Sequence, residues 1–322
     1  SMRAFVFSAQ CVLPIFIIIG IGWLLKRKGV MSAAIVDGLN TITFNVALPL
    51  MLFRDIAQAN FYEMFAPGFI AYALISTLLF FILSWLFAEW FIKDKTAIGA
   101  FVQGCFRGNY AIIGLFLISS VLGHNGKGAL IVLFAIPLYN ILSIVVLSAR
   151  SQTPQPFKLG RTLVSIIKNP LILGILCGLP FSIFQIPVTT APELKFVATT
   201  LDYMAMSANP MALLAIGASI SIGKIQAGLS KALVAASIKL VIGPVVFTLL
   251  AYFLRAPLGL SGDDLFVLCM MYAVPTAVAS YVMASKMDND ADLAANIVLV
   301  TSLLSLFSLT LGIYIFKTAE LI

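Results

Sequence analysis

Apolar residues fall in ten runs, at 5–25, 33–53, 66–88, 97–121, 129–149, 170–186, 194–222, 230–254, 264–286 and 293–316. An α-helix rises about 1.5 Å per residue, so about 20 apolar residues cross the roughly 30 Å hydrocarbon layer of a bilayer. The sixth run is short and the seventh long for that purpose. The loops between runs are mostly a few polar residues, as in Gly123-His124-Asn125-Gly126-Lys127-Gly128. The connection at 150–169 differs. There Pro154 and Pro156 precede Leu159 to Lys168, in which basic and apolar residues alternate as in an interfacial helix. The pattern predicts an all-α integral membrane protein of ten transmembrane helices. It divides into a first five-helix unit over 1–150, a cytoplasmic linker with the interfacial helix over 151–169, and a second five-helix unit over 170–322.

Composition agrees with lipid as the surroundings. Hydrophobic residues make up 61% of the chain and charged residues 10%, against roughly 45–50% and 25% in soluble domains. The net charge of +7 would point to nucleic acid in a soluble chain, but its arrangement along this one follows the loops. Alternate loops on one side carry Lys26, Arg27, Lys28, Lys93, Lys95, Arg150, Lys158, Arg161, Lys168, Lys224, Lys231 and Lys286. The other side has Arg3, Arg54, Lys127, Lys195, Arg255 and Lys317. The positive-inside rule places the richer set in the cytoplasm and both termini outside. No cleavable signal peptide is expected, because the first run is too long for one and ends in Lys26-Arg27-Lys28 without a small-residue cleavage pattern. Cys11, Cys105, Cys177 and Cys269 all lie within apolar runs and read as small buried hydrophobes. No metal site, disulfide framework or cofactor is expected.

The two halves of the chain echo one another. Cys11-Val12-Leu13-Pro14 matches Cys177-Gly178-Leu179-Pro180, and Ala47-Leu48-Pro49-Leu50-Met51-Leu52 matches Ala208-Asn209-Pro210-Met211-Ala212-Leu213. Gly108 in the fourth run pairs with Pro275 in the ninth. These offsets are nearly constant. Five spans is an odd number, so the two repeats insert with opposite orientation, the plan of secondary transporters with interrupted helices at the bilayer midplane.

Candidate chemistry concentrates at those interruptions. The fourth run carries Gly104-Cys105-Phe106-Arg107-Gly108-Asn109-Tyr110-Ala111-Ile112-Ile113-Gly114. An arginine at the centre of a span costs roughly 2.5–3.5 kcal/mol on insertion scales, and irregular backbone at that depth must be buried in protein or line a wet cavity. The ninth run carries Ala273-Val274-Pro275-Thr276-Ala277, where proline removes a helical hydrogen bond and suits the first position of a new half-helix. Two half-helix N-termini would then converge, each carrying roughly half a positive charge, with Arg107 beside them. Arg107, Gly108, Asn109, Tyr110, Val274, Pro275 and Thr276 are the candidate anion-binding residues. Asn40, Asn45, Ser207, Asn209 and Asp202 lie elsewhere within runs and could line a cavity, serve coupling or bond neighbouring helices. Lys239, deep in the eighth run, needs an anionic or carbonyl partner, and Asp202 is the acid considered for it. No catalytic constellation is present.

At these residues the chain resembles the auxin efflux carrier family in its bacterial branch. The resemblance runs over nearly the whole chain and is carried by several motifs. They are Asn40 to Phe53, Phe106-Arg107-Gly108-Asn109-Tyr110 with Gly114, Asn169-Pro170-Leu171, Asn209 to Ser219, Lys239 to Pro244, and Val274 to Ser285. It implies two inverted five-helix repeats, scaffold and transport subdomains each built from both, and fourth and ninth helices crossing at the substrate site. It also implies elevator-type movement, a homodimer, a bacterial cytoplasmic membrane and small organic-anion substrates such as malate or malonate. The family's crossing asparagine falls on Asn109 and its ninth-helix proline on Pro275. Plant carriers place proline where this chain has Gly108, and many carry a long central loop that is short here.

The expected activity is therefore transport of mono- or dicarboxylates, electrogenic by uniport or exchange. A sodium- or proton-coupled symporter of the bile-acid type is the alternative, and a membrane ligand sensor a more distant one. An enzyme, or a nucleic-acid partner, is not expected.

Overall fold

In the computed structural model the described residues are 2–151, 160, 164, 167–220 and 228–322. The interfacial helix expected between Leu159 and Lys168, and the loop containing Lys224, lie essentially outside them. Among the described residues the main helices are α1 (Met2–Arg27), α2 (Ala33–Gln58), α3 (Pro67–Phe91), α4 (Lys95–Phe106), α5 (Tyr110–Leu122) and α6 (Gly126–Ala149). They continue with α7 (Pro170–Ile183), α8 (Lys195–Ser219), α9 (Leu229–Phe253), α10 (Gly262–Ala273), α11 (Ala279–Lys286) and α12 (Ala291–Thr318). No strand forms among them, apart from one isolated antiparallel pairing of Gly108 with Thr276.

Six of these helices, α1, α2, α3, α6, α9 and α12, are long and apolar enough to cross a membrane. The fourth apolar run is two helices, α4 and α5, and the ninth is two, α10 and α11. The sixth run forms a helix of only 14 residues, and α8, which carries Asp202, is more polar.

Local chemistry sets the ends. The Asp94 carboxylate accepts from the amide and hydroxyl of Thr96 and so starts α4. Asn169 caps α7 with Pro170 in its first turn, and Ser261 and Asp264 form a reciprocal capping box on α10. Inside α2 and α9 the helix widens into a π turn, at Thr43–Ala47 and at Ile238–Ile242. Each lies just ahead of a proline, Pro49 or Pro244. A proline supplies no N–H and clashes with the carbonyl four residues earlier, and the wider turn relieves that clash.

Packing then sheathes the broken helices. Every residue of α4 from Ala97 to Phe106 is buried, as is every residue of α10 from Asp264 to Ala273. Helices α3, α6, α9 and α12 pack around α4. Protein therefore surrounds the irregular backbone at the breaks, as a membrane interior requires. The remaining helices cross between halves of the sequence. Helix α1 packs on α8, and α7 on the second half of α2. Glycines bring their backbones together: a Cβ on Gly22 would sit 2.2 Å from the Leu214 carbonyl oxygen, and one on Gly217 only 1.9 Å from that of Ile19. On the other pair, a Cβ on Gly174 would meet the Pro49 carbonyl oxygen at 2.4 Å. Small residues at such contacts allow close van der Waals packing where lipid removes the hydrophobic advantage.

Candidate functional site

Two short extended segments meet where α4 gives way to α5 and α10 to α11. The Asn109 amide donates to the Pro275 carbonyl at 2.8 Å, and the Ala277 amide donates to the Arg107 carbonyl at 3.2 Å. These bonds replace helical ones that the break removes, so little backbone polarity is left unpaired. Thr276 ties the crossing down further. Its hydroxyl donates to the Gly104 carbonyl at 2.7 Å, and its amide donates to the Thr301 hydroxyl on α12 at 3.1 Å. Helix α5 resumes at Tyr110, next to the expected start at Asn109. The second restart differs: a half-helix beginning at Pro275 is overturned, because α11 starts at Ala279. Pro275 instead lies in the extended segment, where its carbonyl is used by Asn109.

A cavity of about 380 Å³ opens against this crossing. Arg107, Gly108, Asn109 and Tyr110 line it, together with Asn40 and Phe44 of α2, Tyr139 of α6, Ser219 of α8, and Ala277 to Ala279 with Met283 near α11. The other walls are apolar, including Ile112, Ile136, Leu171, Ile216 and Val282. Among the described residues, Arg107 is the only charged one in the lining. Its guanidinium, 9% exposed, is held by neutral groups: the Asn140 side-chain oxygen at 2.9 Å, the Ser143 hydroxyl at 3.3 Å and the Met283 sulfur at 2.7 Å. The Asn109 side chain has no hydrogen-bond partner among the described residues. Helix α5 begins immediately beyond it, and the first amides of any helix lack intrahelical acceptors.

The structure divides the sequence-derived candidates into three groups. Arg107, Gly108, Asn109, Tyr110 and Asn40 line the cavity. Val274, Pro275 and Thr276 build the crossing but do not line it, and Lys239 lies behind it. Asn45, Asp202, Ser207 and Asn209 are elsewhere. Asn45 is exposed and donates to the Thr41 carbonyl at 2.8 Å within its own helix. Ser207 similarly donates to Met204 at 2.7 Å, and Asn209 keeps a buried side-chain oxygen with no partner in the described structure. The Lys239–Asp202 pairing is overturned. Asp202 faces Arg54 at 3.3 Å and is half-exposed, whereas the fully buried Lys239 ammonium donates to the Tyr272 carbonyl at 2.7 Å. A carbonyl met the need that an acid was considered for.

Phe44 belongs to a motif of the family resemblance but was not assigned to the site, and Tyr139, Ser143 and Met283 were not singled out as site residues. Asn140 and Ser143 sit three residues apart on one face of α6, a polar pair within an apolar run, and that spacing was the available signal.

A larger cavity, about 710 Å³, lies away from the crossing and has a mixed polar lining. Its Arg54 and Lys127 are already paired with acids: Arg54 with Asp55 at 2.7 Å, and Lys127 with Asp264 at 2.9 Å. Asn125 donates to the other oxygen of Asp55 at 2.6 Å. The smaller cavity is the candidate site because Arg107, its one cation among the described residues, has no acidic partner among them.

The chain is similar to known proteins along most of its length. A protein of Rhizobium meliloti named "Putative malonate transporter" is 24% identical over 321 residues, covering 96% of each chain. An uncharacterized transporter of Methanothermobacter thermautotrophicus is 21% identical over 308 residues, covering 95% of this chain and 98% of its own. A further uncharacterized transporter, from Methanocaldococcus jannaschii, is 22% identical over 310 residues. The family model described as membrane transport protein matches residues 7–313. With its apolar helices and protein-sheathed helix breaks, the chain is a multi-pass integral membrane transporter belonging to the membrane transport protein family, the auxin efflux carrier family that its motifs resemble.

Proposed function

We propose that the protein is a secondary transporter of small organic anions, mono- or dicarboxylates, bound in the cavity at the helix crossing. The observation that carries this reading is Arg107. It is a buried cation, it is the only charge in the cavity lining among the described residues, and every partner found for it is neutral. A buried charge is stable only when paired and hydrogen-bonded, and a carboxylate in the cavity would complete the set. Asn109 offers a side-chain amide, and the start of α5 offers amides and the positive end of its dipole. A volume of about 380 Å³ falls within the range of small-molecule sites, roughly 300–1,000 Å³. The malonate named for the Rhizobium meliloti relative is a substrate of this class.

The architecture proposed for transport is two inverted five-helix repeats. Its support is the exchange of partners, α1 with α8 and α7 with α2, together with one broken helix in each half. In this reading α1, α2, α7 and α8 form a scaffold, through which a homodimer would form. Helices α3 to α6 and α9 to α12 move past it as an elevator carrying the crossing. The cavity draws on parts of α2, α7, α8 and α11 near the basic loops, so in the orientation those loops suggest it opens to the cytoplasm. Transport is electrogenic, by uniport or exchange.

The test is uptake of labelled malonate and a panel of monocarboxylates into proteoliposomes, with wild type beside Arg107→Gln. A hydrogen bond to a charged group contributes about 1.5–3 kcal/mol, so the substitution is expected to weaken anion binding roughly 10- to 100-fold in a folded protein. Equal uptake by the two proteins would sink the proposal.

A further inference from the structure

The second intramembrane cation, Lys239, does not line the cavity. It sits on the π turn of α9, fully buried, and its ammonium donates to the carbonyl of Tyr272 in the last turn of α10. That turn ends at a break: the Met270 carbonyl still accepts from the Val274 amide at 3.3 Å and the Met271 carbonyl from the Tyr139 hydroxyl at 3.3 Å, but the Thr276 amide that would serve Tyr272 donates to Thr301 instead. The helix end carries roughly half a negative charge. The ammonium also presses against the back of the crossing. A Cβ on Gly108 would stand 3.1 Å from the Lys239 nitrogen and 3.2 Å from the Met271 carbonyl oxygen. All acidic residues of the chain lie among the described residues, and none forms an ion pair with Lys239. Among the described residues, the partner found for its ammonium is the Tyr272 carbonyl at the broken helix end.

The corresponding end of α4 is handled differently. There the Gly104 carbonyl accepts from the neutral Thr276 hydroxyl. Arg107 follows the last residue of α4, but its guanidinium donates to Asn140, Ser143 and Met283. Among the described residues, the end carbonyl that accepts from a cation is therefore that of Tyr272 on α10. In transporters with broken helices, half-helix C-terminal ends and unwound carbonyls are the groups that coordinate a coupling sodium ion.

We propose that Lys239 is a tethered replacement for such a cation: its ammonium occupies, permanently, the place at the end of α10 that a small monovalent ion would otherwise fill from solution. Lys239 is thus a positioning residue. It fixes the crossing electrostatically and makes anion binding independent of sodium. This extends the carboxylate-transport reading, and its test is arranged so that the two can fail separately.

Removing the side chain beyond Cβ leaves both the negative helix end and the space for an ion. Melting temperatures of wild type and Lys239→Ala are compared without any carboxylate, in sodium, choline and ethylammonium chloride at equal ionic strength. Wild type is expected to melt at the same temperature in all three. Lys239→Ala is expected to melt lower in choline and to recover in sodium or ethylammonium. With malonate added as probe, Lys239→Ala should bind at least tenfold more weakly than wild type in choline and regain affinity with the rescuing cation. A variant that is destabilised equally in every salt has lost packing only, and that overturns the proposal. So does a variant as stable as wild type in choline. If Lys239→Ala does not fold, wild type decides: tightening of malonate binding, or a rise in melting temperature, when sodium replaces choline overturns it. Absence of any carboxylate binding by wild type would remove the transport reading while leaving the cation-rescue result to stand or fall independently.

Discussion

Arg107 and Lys239 are both cations inside the protein, yet their surroundings assign them different work. Arg107 reaches the cavity and is steadied by Asn140, Ser143 and Met283; Lys239 stays behind the crossing on the Tyr272 carbonyl. Gly108 lies between them. A Cβ there would come within 2.8 Å of the Val274 side chain as well as close to the Lys239 nitrogen. Gly108→Ala gains up to about 1 kcal/mol from a stiffer unfolded chain, but overpacking costs about 1–3 kcal/mol. A net loss follows, read as a lower melting temperature together with weaker malonate binding. Both cations were legible in the sequence because a charge stands out in an apolar run. Tyr139 and Met283 were not: neutral and ordinary in such runs, they become site residues only when folding brings α6 and α11 to Arg107.

At the scale of elements, each broken helix depends on how its ends are held. Helix α4 starts on Asp94, whose carboxyl lies below its ordinary pKa of 3.8 because the Thr96 hydroxyl, and then its amide, hydrogen-bond the charged form. The folded-state pKa is depressed. The cap therefore contributes at neutral pH and is lost as pH falls through that lower value. Asp94→Ala should cost about 1 kcal/mol at pH 7, with the difference from wild type shrinking below about pH 3.8. Asp94→Asn, which keeps an acceptor, should show little of either effect. Thermal melts across pH check both outcomes. Glycine and proline signalled where α4 and α10 stop. The restart at Ala279 rather than Pro275 was not legible, since it follows from the Pro275 carbonyl and the Ala277 amide bonding the opposite segment. No local rule contains that long-range pairing.

Over the whole molecule, the breaks are tolerable because other helices enclose them. Helices α4 and α10 are buried on every side, so they behave as core elements while α1, α3 and α9 turn apolar side chains such as Ile17, Leu86 and Val245 outward. Pairs of glycine contacts, Gly22 with Leu214 and Gly217 with Ile19, bring α1 and α8 closer than larger residues would allow. Movement of an anion bound at such an enclosed crossing carries charge through the membrane field, worth roughly 2.3 kcal/mol per charge per 100 mV. In proteoliposomes, malonate flux should rise when an imposed potential pulls the anion through and fall when the potential is reversed. Flux unchanged across potentials would eliminate electrogenic uniport.

The sequence alone determined the class of protein, because apolar runs of membrane-spanning length and charges confined mostly to loops have few other uses. It also determined where helices break, since glycine, proline and an intramembrane arginine each oppose a continuous helix locally. Only the tertiary structure decided what the breaks become. Helices far apart in sequence supply the neutral partners of Arg107, the carbonyl that holds Lys239 and the walls of the cavity. Such partners are chosen by packing between segments, and pairwise packing leaves no periodic trace in either segment by itself.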